Sequence, residues 1–145
     1  MLKIEKSVVI NRPIEEVFAF VSDIEKLSQW MSELVEAQQT SEGSVGVGTT
    51  ISAVAKPLGR RAESIQEVVE YEPNSKFALK SVSGPVASED KYTFESVADG
   101  TKVTRVAEAE TTGFFKLAEP LAARMMRRQF ETNFANLKDL LEAQA

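Results

Sequence analysis

"AEPLAARMMRRQFETNFANLKDLLE", residues 118–142, decides how the rest of the chain is read. Glu119 and Pro120 suit the first turn of a helix, and the stretch after them keeps a helical period. Ala122, Met126, Phe130, Asn133, Phe134, Leu137, Leu140 and Leu141 fall on one side, and Arg124, Arg127, Arg128, Glu131, Lys138 and Asp139 on the other. A long helix with one apolar side needs a surface to cover. The stretch large enough to supply that surface is the one before it.

That stretch reads as strands. From residue 32 to 110, turn signals recur at SEGSVGVG (41–48), KPLGR (56–60), EPNS (72–75), SGP (83–85) and ADG (98–100). Between them lie candidate strands near 33–40, 48–56, 61–71, 76–83, 87–96 and 101–110, spaced as in an antiparallel meander rather than in βαβ units. Upstream, LKIEKSVVI (2–10) ends in β-branched residues and reads as a further strand. Asn11 then reads as a helix cap, with Pro13 in the first turn and Glu15 and Glu16 at the positive end of the dipole. Ile14, Val17, Phe18, Val21 and Ile24 recur at helical spacing, so one face of this short helix is buried. Ser22 and Glu25 have the form of a capping box, which restarts the chain as a second short helix ending near Trp30, the sole tryptophan. The predicted class is α+β: a strand, two short helices, six further strands, and a sheet that wraps the last helix. The sequence carries no internal repeat and no low-complexity segment.

Composition narrows the chemistry. At 145 residues and 43% hydrophobic content, the chain suits one domain spanning 1–145. Such a domain buries about two thirds of its unfolded surface. With 17 basic and 22 acidic residues the net charge is -5, so phosphate backbones are repelled and no nucleic acid is expected. Without His or Cys there is no Ser-His-Asp triad, thiolate nucleophile, His/Cys zinc site or disulfide, which leaves Asp, Glu, Lys and Tyr for acid and base work. No D-x-D-x-D-G loop occurs, and neither a metal nor a cofactor is expected. Glu5, Arg12, Glu15 and Glu16 interrupt the first twenty residues, so neither a signal peptide nor membrane insertion is expected; a cytoplasmic location is expected, resting on the missing signal alone.

Six segments recur in a familiar order: I-N-R-P-I-E-E-V-F (10–18), D-I-E-K-L-S-Q-W (23–30), G-V-G-T (46–49), Y-E-P-N-S-K-F-A-L-K (71–80), Y-T-F-E-S followed by D-G-T-K-V-T (92–104), and the helix quoted above. In that order, over essentially the whole chain, they resemble the START-like (SRPBCC) superfamily in its polyketide cyclase/dehydrase subgroup. The resemblance implies a helix-grip fold, in which a seven-stranded antiparallel sheet curls around the C-terminal helix and leaves a deep apolar cavity between them. It does not imply one function. Members include lipid and hormone carriers, aromatic cyclases and quinone-binding proteins, so function must come from the site.

In similar family members the two short helices cross the open end of the sheet, which would put Phe18, Val21, Leu27 and Trp30 at one end of the cavity. Core packing alone also accounts for Phe18 and Trp30. Phe77 and Leu79 share one strand face, as do Tyr92 and Phe94, and the resemblance points these four at the cavity; the Tyr92 hydroxyl would orient a ligand carbonyl or hydroxyl. Met126 and Phe130 line either a cavity or the core. Asn133 stands on the apolar side of the helix, where an unpaired amide costs about 1 to 3 kcal/mol. A strand carbonyl, a water or a ligand polar group must satisfy it. Arg105, flanked by Val103 and Ala107, is expected to point outward; pointing inward, it would need an anionic head group or an internal carboxylate.

Other candidates read as bland. Glu89 and Asp90 face opposite sides of their strand and form no dyad. Glu108 and Glu110 suit a solvated outer face. Gly46 and Gly48 lack the third glycine and the helix of a nucleotide loop. Arg124, Arg127 and Arg128 sit in the half of the helix where the dipole disfavours cations, and are expected to pair with acidic neighbours or else face an anionic surface. Phe114 and Phe115 read as a lid over the cavity mouth or as an exposed apolar patch.

The expected function is non-catalytic binding of a mostly apolar small molecule, such as a lipid, isoprenoid or polyketide-like aromatic, by Phe18, Trp30, Phe77, Leu79, Tyr92, Phe94, Arg105, Met126, Phe130 and Asn133. One alternative is a cyclase or dehydratase that positions its substrate and moves protons through Tyr92, Arg105 or an inward Glu. Another is a protein-interaction or stress-related domain. The chain is expected as a monomer or homodimer.

Overall fold

A computed structural model describes residues 2–56, 61–84, 87–110 and 114–143, with the side chains of 114 and 115 excepted. The elements are β1 (Leu2–Ile10), α1 (Ile14–Val21), a 3-10 turn (Ile24–Lys26) running into α2 (Leu27–Trp30), β2 (Leu34–Gln39), β3 (Thr50–Ala55), β4 (Ala62–Glu72), β5 (Lys76–Ser83), β6 (Ser88–Val97), β7 (Gly100–Ala109), α3 (Phe114–Leu117) and α4 (Glu119–Glu142). The KPLGR turn beyond Lys56 and the Pro85 end of the SGP turn lie outside the described residues.

All seven strands form one antiparallel sheet in the order β1-β7-β6-β5-β4-β3-β2, so the predicted meander is closed at one edge by β1 lying against β7. Register shifts at Leu34/Glu36, Ile65/Gln66 and Val68/Glu70 mark bulges in the β2 to β5 half. A bulge sharpens local twist and bends its strand, which is how a flat meander becomes a half-barrel. At the tight β6–β7 turn, Gly100 has φ +133, and a Cβ there would lie 2.1 Å from the Ile10 carbonyl oxygen. Only glycine fits.

Two helix starts differ from the sequence expectation. The N-cap of α1 is Pro13, with no side-chain cap, while the Asn11 backbone N–H donates to Glu142 Oε2 of α4 at 2.8 Å. Ser22 does not cap the next helix, because its hydroxyl donates back to the Phe18 carbonyl at 2.7 Å; Asp23 takes the role and accepts from the Glu25 amide. α4 begins as predicted, with Glu119 and the proline in its first turn.

The concave face holds two apolar clusters. The larger joins α1, α2, the sheet centre and the second half of α4 through Val17, Phe18, Trp30, Phe77, Tyr92, Phe94, Val103, Phe134, Leu137 and Leu141. The smaller joins Leu2 and Ile4 of β1 to Ala123 and Phe130 of α4, with Met126 packed against it. The C-terminal end of α4 is fastened to the β1–α1 corner: Lys138 donates to the Val9 carbonyl at 2.9 Å, and Arg12 Nε to the Leu141 carbonyl at 2.9 Å. A cation on these last carbonyls also complements the helix dipole.

Candidate functional site

Strand alternation places the central charge. On β7, Thr101, Val103 and Arg105 are buried while Lys102 is exposed, so odd positions face the helix. The outward expectation for Arg105 is therefore corrected: its side chain is inside, with 6% of the residue exposed. On β6, Tyr92 and Phe94 are buried on the same face, and Asp90 shares their parity. Tyr92 is the direct cross-strand partner of Arg105, and Asp90 lies one step diagonally away.

The resulting arrangement is a buried, bidentate ion pair. Arg105 Nε and Nη2 donate to the two Asp90 oxygens at 2.8 and 2.7 Å, and the Tyr92 hydroxyl donates to the same carboxylate at 3.0 Å. The guanidinium carbon stands 3.8 Å from the Phe130 ring centroid and 5.3 Å from that of Tyr92. It thus bridges the two apolar clusters, a cation held between two aromatic faces. Burial opposes its charge, but Asp90, with Tyr92 and Glu33 adding, outweighs burial and holds the Arg105 pKa above its ordinary value. Burial, only partly countered by Arg105, raises the Tyr92 pKa well above the ordinary 10, so the phenol keeps its proton and acts as a donor.

Among the described residues, the buried donors Arg105 Nη1 and Trp30 Nε1 have no partner. An unsatisfied buried donor costs about 1 to 3 kcal/mol, so each is a place where a hydrogen-bond acceptor would be gained. Both belong to side chains that pack on Tyr92, since the Trp30 ring meets it edge to face at 6.0 Å.

Asn133 is satisfied by protein groups. Its amide nitrogen donates to both Glu33 oxygens at 3.2 and 3.1 Å, and its oxygen accepts from the Ser32 amide at 3.1 Å and from Gln129 at 3.3 Å. A loop carboxylate and a loop amide, rather than a strand carbonyl, answer the predicted need. This network ties the middle of α4 to the segment after α2.

Six of the ten predicted site residues meet in the larger cluster: Phe18, Trp30, Phe77, Leu79, Tyr92 and Phe94. Phe18 packs edge to face on Phe94 at 5.1 Å and Phe77 stacks on Tyr92 at 6.2 Å. Phe130 and half-buried Met126 belong to the smaller cluster, Arg105 sits between the two, and Asn133 faces the 32–33 loop. Trp30, Phe77, Tyr92, Val68, Val103 and Leu137 have no exposed surface, so the interior is closed around them. Asp90, Glu33, Ser32 and Gln129 were missed. Asp90 was within reach of the alternation, because a strand that points Tyr92 and Phe94 inward must point Asp90 inward too. Glu108 stands on the outer face as expected, beside Lys3 at 3.9 Å, and Glu110 is exposed. The lid reading of Phe114 and Phe115 rests on side chains outside the described residues.

Residues 1–142 match the sequence profile described as "Polyketide cyclase / dehydrase and lipid transport". Among curated proteins, none matches the chain. Among solved structures, TTHA0849 from Thermus thermophilus superposes with a TM-score of 0.85 at 21% identity, covering 99% of both chains. A START superfamily protein from Mycobacterium smegmatis superposes with a TM-score of 0.82 at 16% identity, again over 99% of both. A conserved protein from Geobacillus kaustophilus gives 0.81 at 16% identity, over 98% of this chain and 96% of its own. At these identities the likeness speaks for the fold, and the profile match speaks for the family. The chain belongs to the polyketide cyclase/dehydrase and lipid transport family, built on the helix-grip fold of the START superfamily.

Proposed function

We propose that this single domain binds an amphiphilic small molecule between the sheet and α4, with an apolar body among the aromatic side chains and an acceptor head group at Arg105 and Trp30. The observation that carries this reading is the pair of buried donors without a partner among the described residues, Arg105 Nη1 and Trp30 Nε1, set around Tyr92 beside the aromatic side chains of the larger cluster. A filled core with no cargo has no use for a charged pair at its centre, since a well-packed apolar replacement is often at least as stable. A carboxylate or carbonyl oxygen supplies what both donors lack. Because the interior is closed, entry requires α4 or the α1–α2 segment to move aside. Proton transfer through Tyr92 gains no support from its environment: its hydroxyl is committed to Asp90 and its pKa is raised.

Native mass spectrometry of the purified protein, followed by organic extraction, tests the reading. The expected result is an adduct of a few hundred daltons that is lost on denaturation. Trp30 adds an independent signal, because an acceptor at its indole nitrogen shifts its emission. A clean apo mass, together with unchanged Trp30 emission across fatty acids, isoprenoid acids and aromatic polyketide-like acids, would overturn it.

A further inference from the structure

The outer side of α4 carries a surface that ligand binding inside the sheet does not use. Leu117, Leu121 and Met125 are 84%, 61% and 41% exposed, the first at the end of α3 and the others on α4. Leu121 and Met125 stand one turn apart on α4 and form an apolar ridge that Leu117, two residues before the helix starts, leads into. Leu121 lies about two and a half turns before Phe130, which puts the ridge on the side opposite the buried face.

Arg124 and Arg128 run alongside the ridge at the same spacing, with Arg127 flanking. The expectation of acidic neighbours is not met: none of the three forms an ion pair among the described residues. Arg128 lends only a distant attraction to Glu131, whose carboxylate is taken by Lys6 at 2.7 Å. Between Leu117 and Phe130 the three arginines face one acid, Glu119, leaving a local charge of +2 on a chain whose total is -5. The C-terminal half of the same helix carries Glu131, Asp139 and Glu142 and does not share this character.

We propose that this ridge docks the protein on an anionic lipid surface, with Leu117, Leu121 and Met125 entering the headgroup region and Arg124, Arg127 and Arg128 on lipid phosphates. The chemistry of the two rows is that of an interfacial helix. The charge favours a lipid surface, because arginines beside an apolar ridge suit an array of phosphates, and two open hollows of about 200 and 300 Å³ lie elsewhere, among residues of β5, β6 and β7 and the segments beside them. No helix among the described residues is long and apolar enough to cross a membrane, so the contact is peripheral. It stands whether or not the interior takes a ligand.

Co-sedimentation of the full chain with vesicles of phosphatidylcholine mixed with phosphatidylglycerol, and of phosphatidylcholine alone, tests this. Binding to the anionic vesicles at low ionic strength is expected, weakened by added salt. Arg124→Gln with Arg128→Gln lowers partitioning about 25-fold, at roughly fivefold per arginine. Leu117→Ser with Leu121→Ser lowers it at least about tenfold. Val82→Ser, at a valine 54% exposed on β5, leaves it unchanged, and all three variants keep the wild-type urea midpoint. Absence of wild-type binding to anionic vesicles, or binding that ignores both double variants, overturns the proposal. A concentration-dependent dimer that Leu121→Ser dissolves, in place of vesicle binding, overturns it in favour of self-association.

Discussion

Asp90→Ala is the most informative single change in this protein. It removes the acceptor of both Arg105 hydrogen bonds and of the Tyr92 hydroxyl, and leaves a guanidinium against Phe130 without its paired carboxylate, Glu33 acting on it by field alone. Breaking a buried pair from one side costs about 3 to 5 kcal/mol. The Asp90 side chain is 21% exposed against 7% for Arg105, so water reaches the vacated position and the lower figure, about 3 kcal/mol, applies. For a chain of this size that is a fall in Tm of about 10 °C. Replacing both partners, as Asp90→Leu with Arg105→Met, removes the orphaned charge but leaves the Tyr92 hydroxyl without its acceptor, so it is expected to recover only part of the roughly 3 kcal/mol. Urea unfolding of wild type, Asp90→Leu, Arg105→Met and the double variant gives the coupling directly, provided the m value holds constant. If Asp90→Ala costs under about 1 kcal/mol, the pair behaves as a surface ion pair and the account of a buried charge at the junction of two apolar clusters is refuted.

Three further outcomes follow from the same structure. Gly100→Ala forces a Cβ onto the Ile10 carbonyl, so it should cost at least about 2 kcal/mol by urea unfolding, whereas Gly43→Ala, also at positive φ but with open space around it, should cost about 1 kcal/mol. Asn133→Asp puts a second carboxylate against Glu33 and removes the donor between them, so at neutral pH it should destabilise by more than about 2 kcal/mol; a loss no larger than that of Asn133→Ala would refute the repulsion. Glu131, held by Lys6, and Glu142, held by the Asn11 amide and Lys138, have pKa values lowered from 4.5. Their contribution to stability is whole above that value and is lost as pH falls through the lowered folded values. Glu131→Gln with Glu142→Gln should therefore flatten the acid limb of a stability-versus-pH curve, and an unchanged limb would remove both from the account.

The fold was legible because its signals are long and redundant. Six strands after α2 fall between turn signals, and α4 carries its apolar face over its whole length, so one misread residue moves no element. The caps were less legible because they turn on one hydrogen bond. The Ser22 hydroxyl has two good partners within a turn, the Phe18 carbonyl behind it to donate to and a backbone amide ahead to accept from, and only packing decides between them. The site lost its centre for a different reason. An inward Arg105 is costly unless its counter-charge is known, and Asp90 lies on another strand, 15 residues back, dismissed because it lacked a carboxylate partner on its own face. Charge pairs across a register become visible only once the parity of both strands is settled together.

The ion pair that separates the two apolar clusters also separates two degrees of local protection. Beyond Asn133, α4 is held by Phe134, Leu137 and Leu141 in the larger cluster and by Lys138 and Arg12 at the β1–α1 corner. Before it, the helix rests on Ala123, Phe130 and Met126 against Leu2 and Ile4, with Lys6–Glu131 as its outer tie. Amide hydrogen exchange should divide the helix at that point, with the amides before Asn133 exchanging through a partial opening and those after it only on global unfolding. The long helix is then two cooperative units joined end to end, and the less protected one lies directly over the guanidinium.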